Sequence, residues 1–208
     1  MLLVTGATGT IGRPLIDLLT NQGAEVRALT RNPRAAGLPA GVEVVEGHPS
    51  RPEKIAPLLD GVTALFLHPR AVGLAAAELL ALARQRGVRR VVALSATNVD
   101  DNLDEQPSPY RGDRNKEVED AAVASGLEWV SLRSSFFASN TLQAWGAQIR
   151  TGDVVRGPYA TFAEAPIHER DLAGAGARAL LTDELEQVLG RPARTYAQWA
   201  ADNAAFQN

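Results

Sequence analysis

Three glycines stand where phosphate chemistry can be done: Val4-Thr-Gly6-Ala-Thr-Gly9-Thr-Ile-Gly12. A spaced glycine triplet is weak by itself and gains meaning where a buried strand ends and a helix opens. Here it follows the apolar run 2–5 and leads into a helical pattern over 11–21, with Ile11, Leu15, Leu18 and Leu19 on one face. Gly6 permits a tight turn. Gly9 has no side chain to block a pyrophosphate. Gly12 lets the helix sit close to the sheet. The free N–H groups and the positive helix end then face the phosphates. The expected ligand is a dinucleotide; the bland alternative is a tight turn in an empty domain of the same shape.

The end of the second strand selects between cofactors. An acid there would accept hydrogen bonds from a free ribose 2′-hydroxyl and repel a 2′-phosphate. This chain reads Ala28-Leu-Thr-Arg31-Asn32-Pro-Arg34, without an acid. Arg31 can fork onto a phosphate, and Thr30 and Asn32 can add hydrogen bonds. NADP(H) is therefore expected over NAD(H), against the alternative of two solvated surface arginines.

The elements that must carry these residues alternate strand and helix. Strands are expected over 2–5, 25–30, 42–46, 62–67, 88–95 and 127–132. Helices are expected over 11–21, 52–59, 74–86 and 110–125, with a polar loop over 98–109. Continuous apolar strands joined by helical crossovers predict an α/β fold, a doubly wound parallel sheet or Rossmann fold. Beyond Leu132 the rhythm loosens. Helices are expected over 139–150, 169–181 and 192–206, and short strands over 154–158 and 165–168. This divides the chain into a cofactor-binding core, 1–135, and small substrate-side elements, 136–208, packed on it as one unit.

With 208 residues, 21 basic and 24 acidic side chains and a net charge of −3, the chain suits a single globular unit. It has no basic surplus for nucleic acid. Its 45% hydrophobic content comes in runs far shorter than the roughly 18 residues of a membrane span. There is no cysteine, hence no disulfide and no thiolate site. Met1 runs directly into Leu2-Leu3-Val4, so no leader is expected, and a cytoplasmic protein is expected. A homodimer is compatible with the sequence and not specified by it.

The chain resembles the NmrA-like family of atypical short-chain dehydrogenases, which holds NADPH-dependent quinone reductases and catalytically silent NADP sensors. The matching segments are Thr5-Gly-Ala-Thr-Gly-Thr-Ile-Gly12, Leu29-Thr-Arg-Asn-Pro33, Val88-Arg-Arg-Val-Val-Ala-Leu-Ser95, Ser125-Gly-Leu-Glu-Trp129 with Leu132-Arg133, and Pro166-Ile-His-Glu-Arg-Asp171. The resemblance implies that Gly6, Thr8, Gly9, Thr10 and Ile11 hold the diphosphate and Arg31 the adenosine phosphate. It puts Gly47-His48-Pro49 beside the adenine, with His48 where many relatives have Asp. Leu67, His68 and Pro69 would border the nicotinamide ribose. Ser95, Ala96 and Thr97, together with the segment from Ser134 through Phe136 to Phe137, would wall the nicotinamide.

Ordinary short-chain dehydrogenases pair a Tyr with a Lys one helical turn later, and the lysine lowers the tyrosine's pKa. Lys116 is present, but Gly112 stands four residues earlier, and Tyr110 is out of phase. Lys116 is expected to bond the ribose hydroxyls or assist as a weak acid; the alternative is an exposed lysine in the charged stretch 111–120. A carbonyl reductase must protonate an alkoxide and needs a placed acid. A quinone gives a stabilised phenolate that solvent can protonate. The expected activity is therefore hydride transfer from NADPH to a quinone or similar small electrophilic acceptor. The alternative is an NADP(H)-sensing regulator without turnover. Phe136 and Phe137 offer a flat wall for a ring, or equally ordinary core packing.

The three histidines share no metal-ligand spacing, so no metal is expected. Asp171 reads as a structural partner for backbone or arginine, and Trp129, Trp145 and Trp199 as packing residues. After Leu181-Thr-Asp-Glu184, the stretch Leu185 to Ala200 resembles the family's extreme C-terminal helix. Several tens of residues of the family pattern are missing between them. The expectation is a segment that the numbering closes over, and the alternative a deletion. A mass clearly above 22.1 kDa would mark the former.

Overall fold

The computed structural model describes residues 1–102, 104, 106, 112–157 and 166–181. Six parallel strands form one sheet: β1 (Leu2–Val4), β2 (Val26–Thr30), β3 (Glu43–Glu46), β4 (Ala64–Leu67), β5 (Arg90–Ala96) and β6 (Glu128–Ser134). Their spatial order is β3-β2-β1-β4-β5-β6. The order reverses between β1 and β4, and a doubly wound sheet binds ligands outside the carboxyl ends of its strands at such a point. The register is in step, with Val4 beside Ala28 on one side and Phe66 on the other.

The helices are α1 (Gly12–Asn21), α2 (Pro52–Ile55), α3 (Pro69–Val72), α4 (Ala76–Gln85), α5 (Asn115–Ala124), α6 (Asn140–Thr151) and α7 (Glu169–Leu181). Strand side chains alternate between two cores. Leu2, Val4, Ala28, Phe66 and Val92 pack with Ile11, Leu15 and Leu19 of the α1 region and with Leu172 and Leu180 of α7. Leu3, Leu29, Leu65 and Leu67 pack with Leu79 and Leu80 of α4 and Val118 and Ala122 of α5. Burial on both faces is why the central strands read as unbroken apolar runs. Helix α7 lies in the same core as α1, so residues beyond 135 build part of the sheet's cover.

Several boundaries differ from the expectations above. The stretch 154–157 is irregular, with Val154 56% and Val155 45% exposed. No strand among the described residues pairs with it; the Gln148 side chain accepts from Arg156 N–H at 2.8 Å and donates to Arg156 C=O at 3.2 Å. Around 166–168 the strand shrinks to one bridge, Phe137 to Ile167. Helix α5 begins only at Asn115, because Gly112 has φ +79°, which no helix accommodates. Trp129 is 42% exposed on β6, at the edge of the sheet, and does not pack in the core. Tyr110, Trp199, the helix expected over 192–206 and the junction at 184–185 lie outside the described residues.

Candidate nucleotide-binding site

Thr5, the residue after β1, is fully buried and joins two strand ends. Its hydroxyl donates to the Phe66 carbonyl at 2.9 Å and accepts the His68 N–H at 2.8 Å. Its own N–H donates to the same carbonyl at 3.1 Å. The chain then turns at Gly6, with φ +64°, and a Cβ there would lie 2.8 Å from the Cβ of His68. Gly9 N–H closes the turn on Gly6 C=O at 2.9 Å.

Gly12 is demanded by the turn itself. A Cβ at Gly12 would stand 2.2 Å from the Gly6 carbonyl oxygen and 2.8 Å from Ala7 Cα. Ile11 is fully buried, so only its backbone can serve a ligand. Helix α1 has no side-chain cap and no acid in its first turn. Its Arg13 N–H already donates to Gly9 C=O at 3.1 Å and its Leu15 N–H to Ile11 C=O at 3.0 Å, and Pro14 has no N–H, so an external anion would have to be met by amides of the turn ahead of Arg13.

The turn forms one wall of a cleft of about 460 Å³ along the carboxyl ends of β1 to β4. The cleft is lined by Gly6, Ala7, Thr8, Gly9 and Thr10 from the first strand end, and by Leu29, Thr30 and Arg31 from the second. Gly47, His48 and Pro49 line it from the third, and His68, Arg70 and Ala71 from the fourth. Arg31 is exposed within it. Asn32 sits behind, its N–H bonded to Thr30 Oγ1 at 3.3 Å.

Two further arginines, outside the glycine and Arg31 motifs, brace this cleft. Arg13 donates to Thr8 C=O at 3.2 Å, Ala36 C=O at 2.7 Å and Gly37 C=O at 2.9 Å. It thus ties the glycine turn to the loop that carries Arg31. Its position directly after the third glycine was the available signal. Arg70 holds Asp113 with two parallel bonds of 3.0 Å, linking α3 to the loop before α5. Nothing in the sequence joins residues 43 positions apart. Burial pushes the His68 imidazole below its ordinary pKa, and Arg70 adds to this, while Asp113 opposes it.

The remaining expected residues lie around and beyond the cleft lining. Leu67 is buried within β4, and Pro69 opens α3. Ser95 and Ala96 end β5, with Ser95 buried. Buried Ser134 sits opposite Ala96 in β6, and Thr97 N–H donates to Ser134 C=O at 3.1 Å. Phe136 leans on Trp145 of α6, with ring centroids 6.5 Å apart and a tilt of 37°. Lys116 lies on α5, where its Nζ meets Asp120 at 3.1 Å.

Near these strand ends stands a cluster that sequence reasoning missed. Glu119 of α5 is buried and accepts from Ser131 and from Arg133, whose Nε lies 3.0 Å away. Arg133 also reaches Asp100 in the loop after β5. Burial raises the Glu119 pKa, but Arg133 and Ser131, with Ser95 beside them, outweigh it and hold the carboxyl below its usual range. Among the described residues no group of three His, Cys, Asp or Glu could hold a metal, and no helix is long and apolar enough to cross a membrane.

A family model described as NAD(P)H-binding matches residues 6–183. The chain is 34% identical, over 223 residues, to a (4-alkanoyl-5-oxo-2,5-dihydrofuran-3-yl)methyl phosphate reductase of Streptomyces griseus, covering 93% of this chain and 76% of the relative. It is 29% identical to the NAD(P)H azoreductase of Xenophilus azovorans, covering 86% of this chain and 63% of the relative. An Escherichia coli NADPH-dependent quinone oxidoreductase in complex with NADPH superposes with a TM-score of 0.73 at 25% identity, over 88% of this chain and 66% of that one. The chain thus spans less than two thirds of the length of the latter two proteins.

Proposed function

Because the chain belongs to the NAD(P)H-binding family, we propose that it is an NADPH-dependent oxidoreductase that delivers a hydride to a quinone or a similarly electron-poor small acceptor. The observation that carries this is the cleft: an amide-lined glycine turn at one strand end and Arg31, without an acid, at the next. The space fits the group. At Gly6 and Gly12 a Cβ would collide with His68 and with the turn's own backbone, so glycine at both positions preserves the tight turn that walls the cleft.

The nicotinamide, when bound, supplies the hydride, and the chain supplies position and electrostatics. The turn's N–H groups hold the diphosphate, and Arg31 forks onto the 2′-phosphate. His68, kept neutral by burial, borders the ribose without adding charge. Lys116 turns to the ribose hydroxyls or serves as a weak acid. Its exposed pair with Asp120 is worth only about 0.3–0.5 kcal/mol and is readily exchanged. Gly112 stands four residues before Lys116, so the sequence carries no tyrosine at the spacing of the usual pair.

An acceptor that becomes a stabilised anion on taking a hydride suits such a site, since solvent can protonate it. The similar proteins are named for a furanone phosphate, azo compounds and quinones, all electron-poor π systems. On its matching segments we place the chain on the NmrA-like branch of the family. Steady-state NADPH oxidation with a panel of quinones, azo dyes and butenolides tests the reading. Acceptor-dependent loss of NADPH absorbance supports it. Tight NADPH binding with no turnover on any acceptor supports the sensing regulator instead.

A further inference from the structure

The two edges of the sheet are unlike. β3 is four residues long and carries an exposed glutamate at each end, Glu43 and Glu46. Shortness and charge guard a strand edge against pairing. β6 is seven residues long, and among the described residues only β5 pairs with it. Glu128 N–H donates to Arg89 C=O at 2.9 Å, and Ser134 C=O accepts from Thr97 N–H at 3.1 Å, so these two residues face β5. Backbone direction alternates from one strand residue to the next. The N–H and C=O groups of Trp129, Ser131 and Arg133 therefore point to the open side. Trp129 is 42% exposed there. Val123, on the helix whose Glu119 holds Ser131, is 49% exposed.

We propose that β6 pairs antiparallel with β6 of a second copy of this chain, across a twofold axis at Ser131. This register overlaps all seven residues of the strand and makes the contact self-complementary. Ser131 faces its own copy, and Trp129 faces the partner's Arg133. Each of these pairs exchanges both backbone bonds, because Trp129, Ser131 and Arg133 all present N–H and C=O outward. The charges of the strand suit the register. The partner's Arg133 sets a cation against the Trp129 ring, and Glu128 faces the partner's Ser134, so no two like charges stand opposite one another. Glu119 and Asp100 hold Arg133 from α5 and from the loop after β5, which fixes its side chain before pairing. The overlap ends at Ser134, short of the bridge between Phe137 and Ile167.

Light scattering during gel filtration reads the mass directly. At about 100 µM protein the expected mass is twice the chain's 22.1 kDa. Trp129→Arg sets like charges opposite one another on both sides of the axis and should raise the dimer's dissociation constant about tenfold or more. The chain has no cysteine, so Ser131→Cys supplies a single thiol. Its Cα would stand about 5.5 Å from that of its own copy, within disulfide reach. Mild oxidation should link Ser131→Cys into a covalent dimer that a reductant reverses, while Glu25→Cys, at a side chain 78% exposed ahead of β2, stays single. A mass of 22.1 kDa at every concentration overturns the proposal, as it would if another stretch of the same chain took the edge. So does a dimer unchanged by Trp129→Arg, or cross-linking of Ser131→Cys no greater than that of Glu25→Cys. If either variant fails to fold, amide hydrogen exchange of the wild-type protein decides. Protection of the Trp129, Ser131 and Arg133 amides that rises with protein concentration supports the pairing, and fast exchange at every concentration overturns it.

Discussion

The Thr5 hydroxyl accepts the His68 N–H at 2.8 Å and donates to the Phe66 carbonyl at 2.9 Å, so one side chain fastens the ends of β1 and β4 at the point where the sheet order reverses. The glycine turn starts one residue later, and His68 fills the space over Gly6. The cleft's floor is therefore a covalent and hydrogen-bonded continuation of two adjacent strands.

Thr5→Val keeps the shape and removes the hydroxyl. The His68 N–H then loses its partner, which costs about 1–3 kcal/mol. In a chain of this size each kcal/mol lowers Tm by about 2–4 °C. Thermal unfolding should show that loss, and NADPH affinity should drop with it. A Tm unchanged from wild type would remove Thr5 from the account.

Gly12→Ala probes the turn from below. The new Cβ meets backbone, the Gly6 oxygen at 2.2 Å, and no side chain can swing aside to relieve it. Displacing α1 or the turn costs about 1–3 kcal/mol, as overpacking does. The turn's amides are then re-aimed, and NADPH binding should weaken about tenfold or more while circular dichroism stays native. Unaltered affinity would show that the amides do not hold the diphosphate.

Arg13 and Arg31 are expected to act in one direction for different reasons. Arg31→Ala removes charge-assisted bonds worth about 1.5–3 kcal/mol, so NADPH affinity falls about tenfold to a hundredfold, with little change for NADH. Arg13→Ala frees the loop at Ala36 and Gly37 and should narrow the same NADPH/NADH ratio less steeply. Equal losses for both nucleotides in Arg31→Ala would move the 2′-phosphate elsewhere.

Acid should destabilise the protein in two windows. His68 has a pKa pushed below its ordinary 6.5, so the unfolded chain binds its proton first as pH falls. Its contribution is complete above that value and is lost as pH drops toward the lowered one. Glu119, held below 4.5, contributes above that value and loses its contribution at lower pH still. The difference in unfolding free energy between wild type and His68→Gln, followed by urea titration, should shrink as pH falls below neutrality. A difference independent of pH would contradict the burial of a neutral His68.

The glycine turn was legible from sequence because its steric demands are met by one residue type at fixed spacing. The doubly wound order followed from the alternation of apolar runs and helical patterns. Arg70, Asp113 and Glu119 were not legible, since their roles come from contacts across long stretches of chain. Val154 and Val155 mimicked a strand because local apolarity does not say whether a neighbouring strand exists to pair with. A role for Lys116 follows from the family resemblance alone, and the fold gives it Asp120 as a partner, a pairing one helical turn apart that sequence spacing permits.

Titration calorimetry with NADPH and NADH addresses most directly the claim that the amides after β1, with Arg31, grip a phosphorylated dinucleotide. The account predicts saturable heat for NADPH with a Kd near or below about 1 µM, about −8 kcal/mol, weaker binding of NADH, and a raised Tm in the presence of NADPH. Absence of heat and of thermal protection with either nucleotide would contradict it.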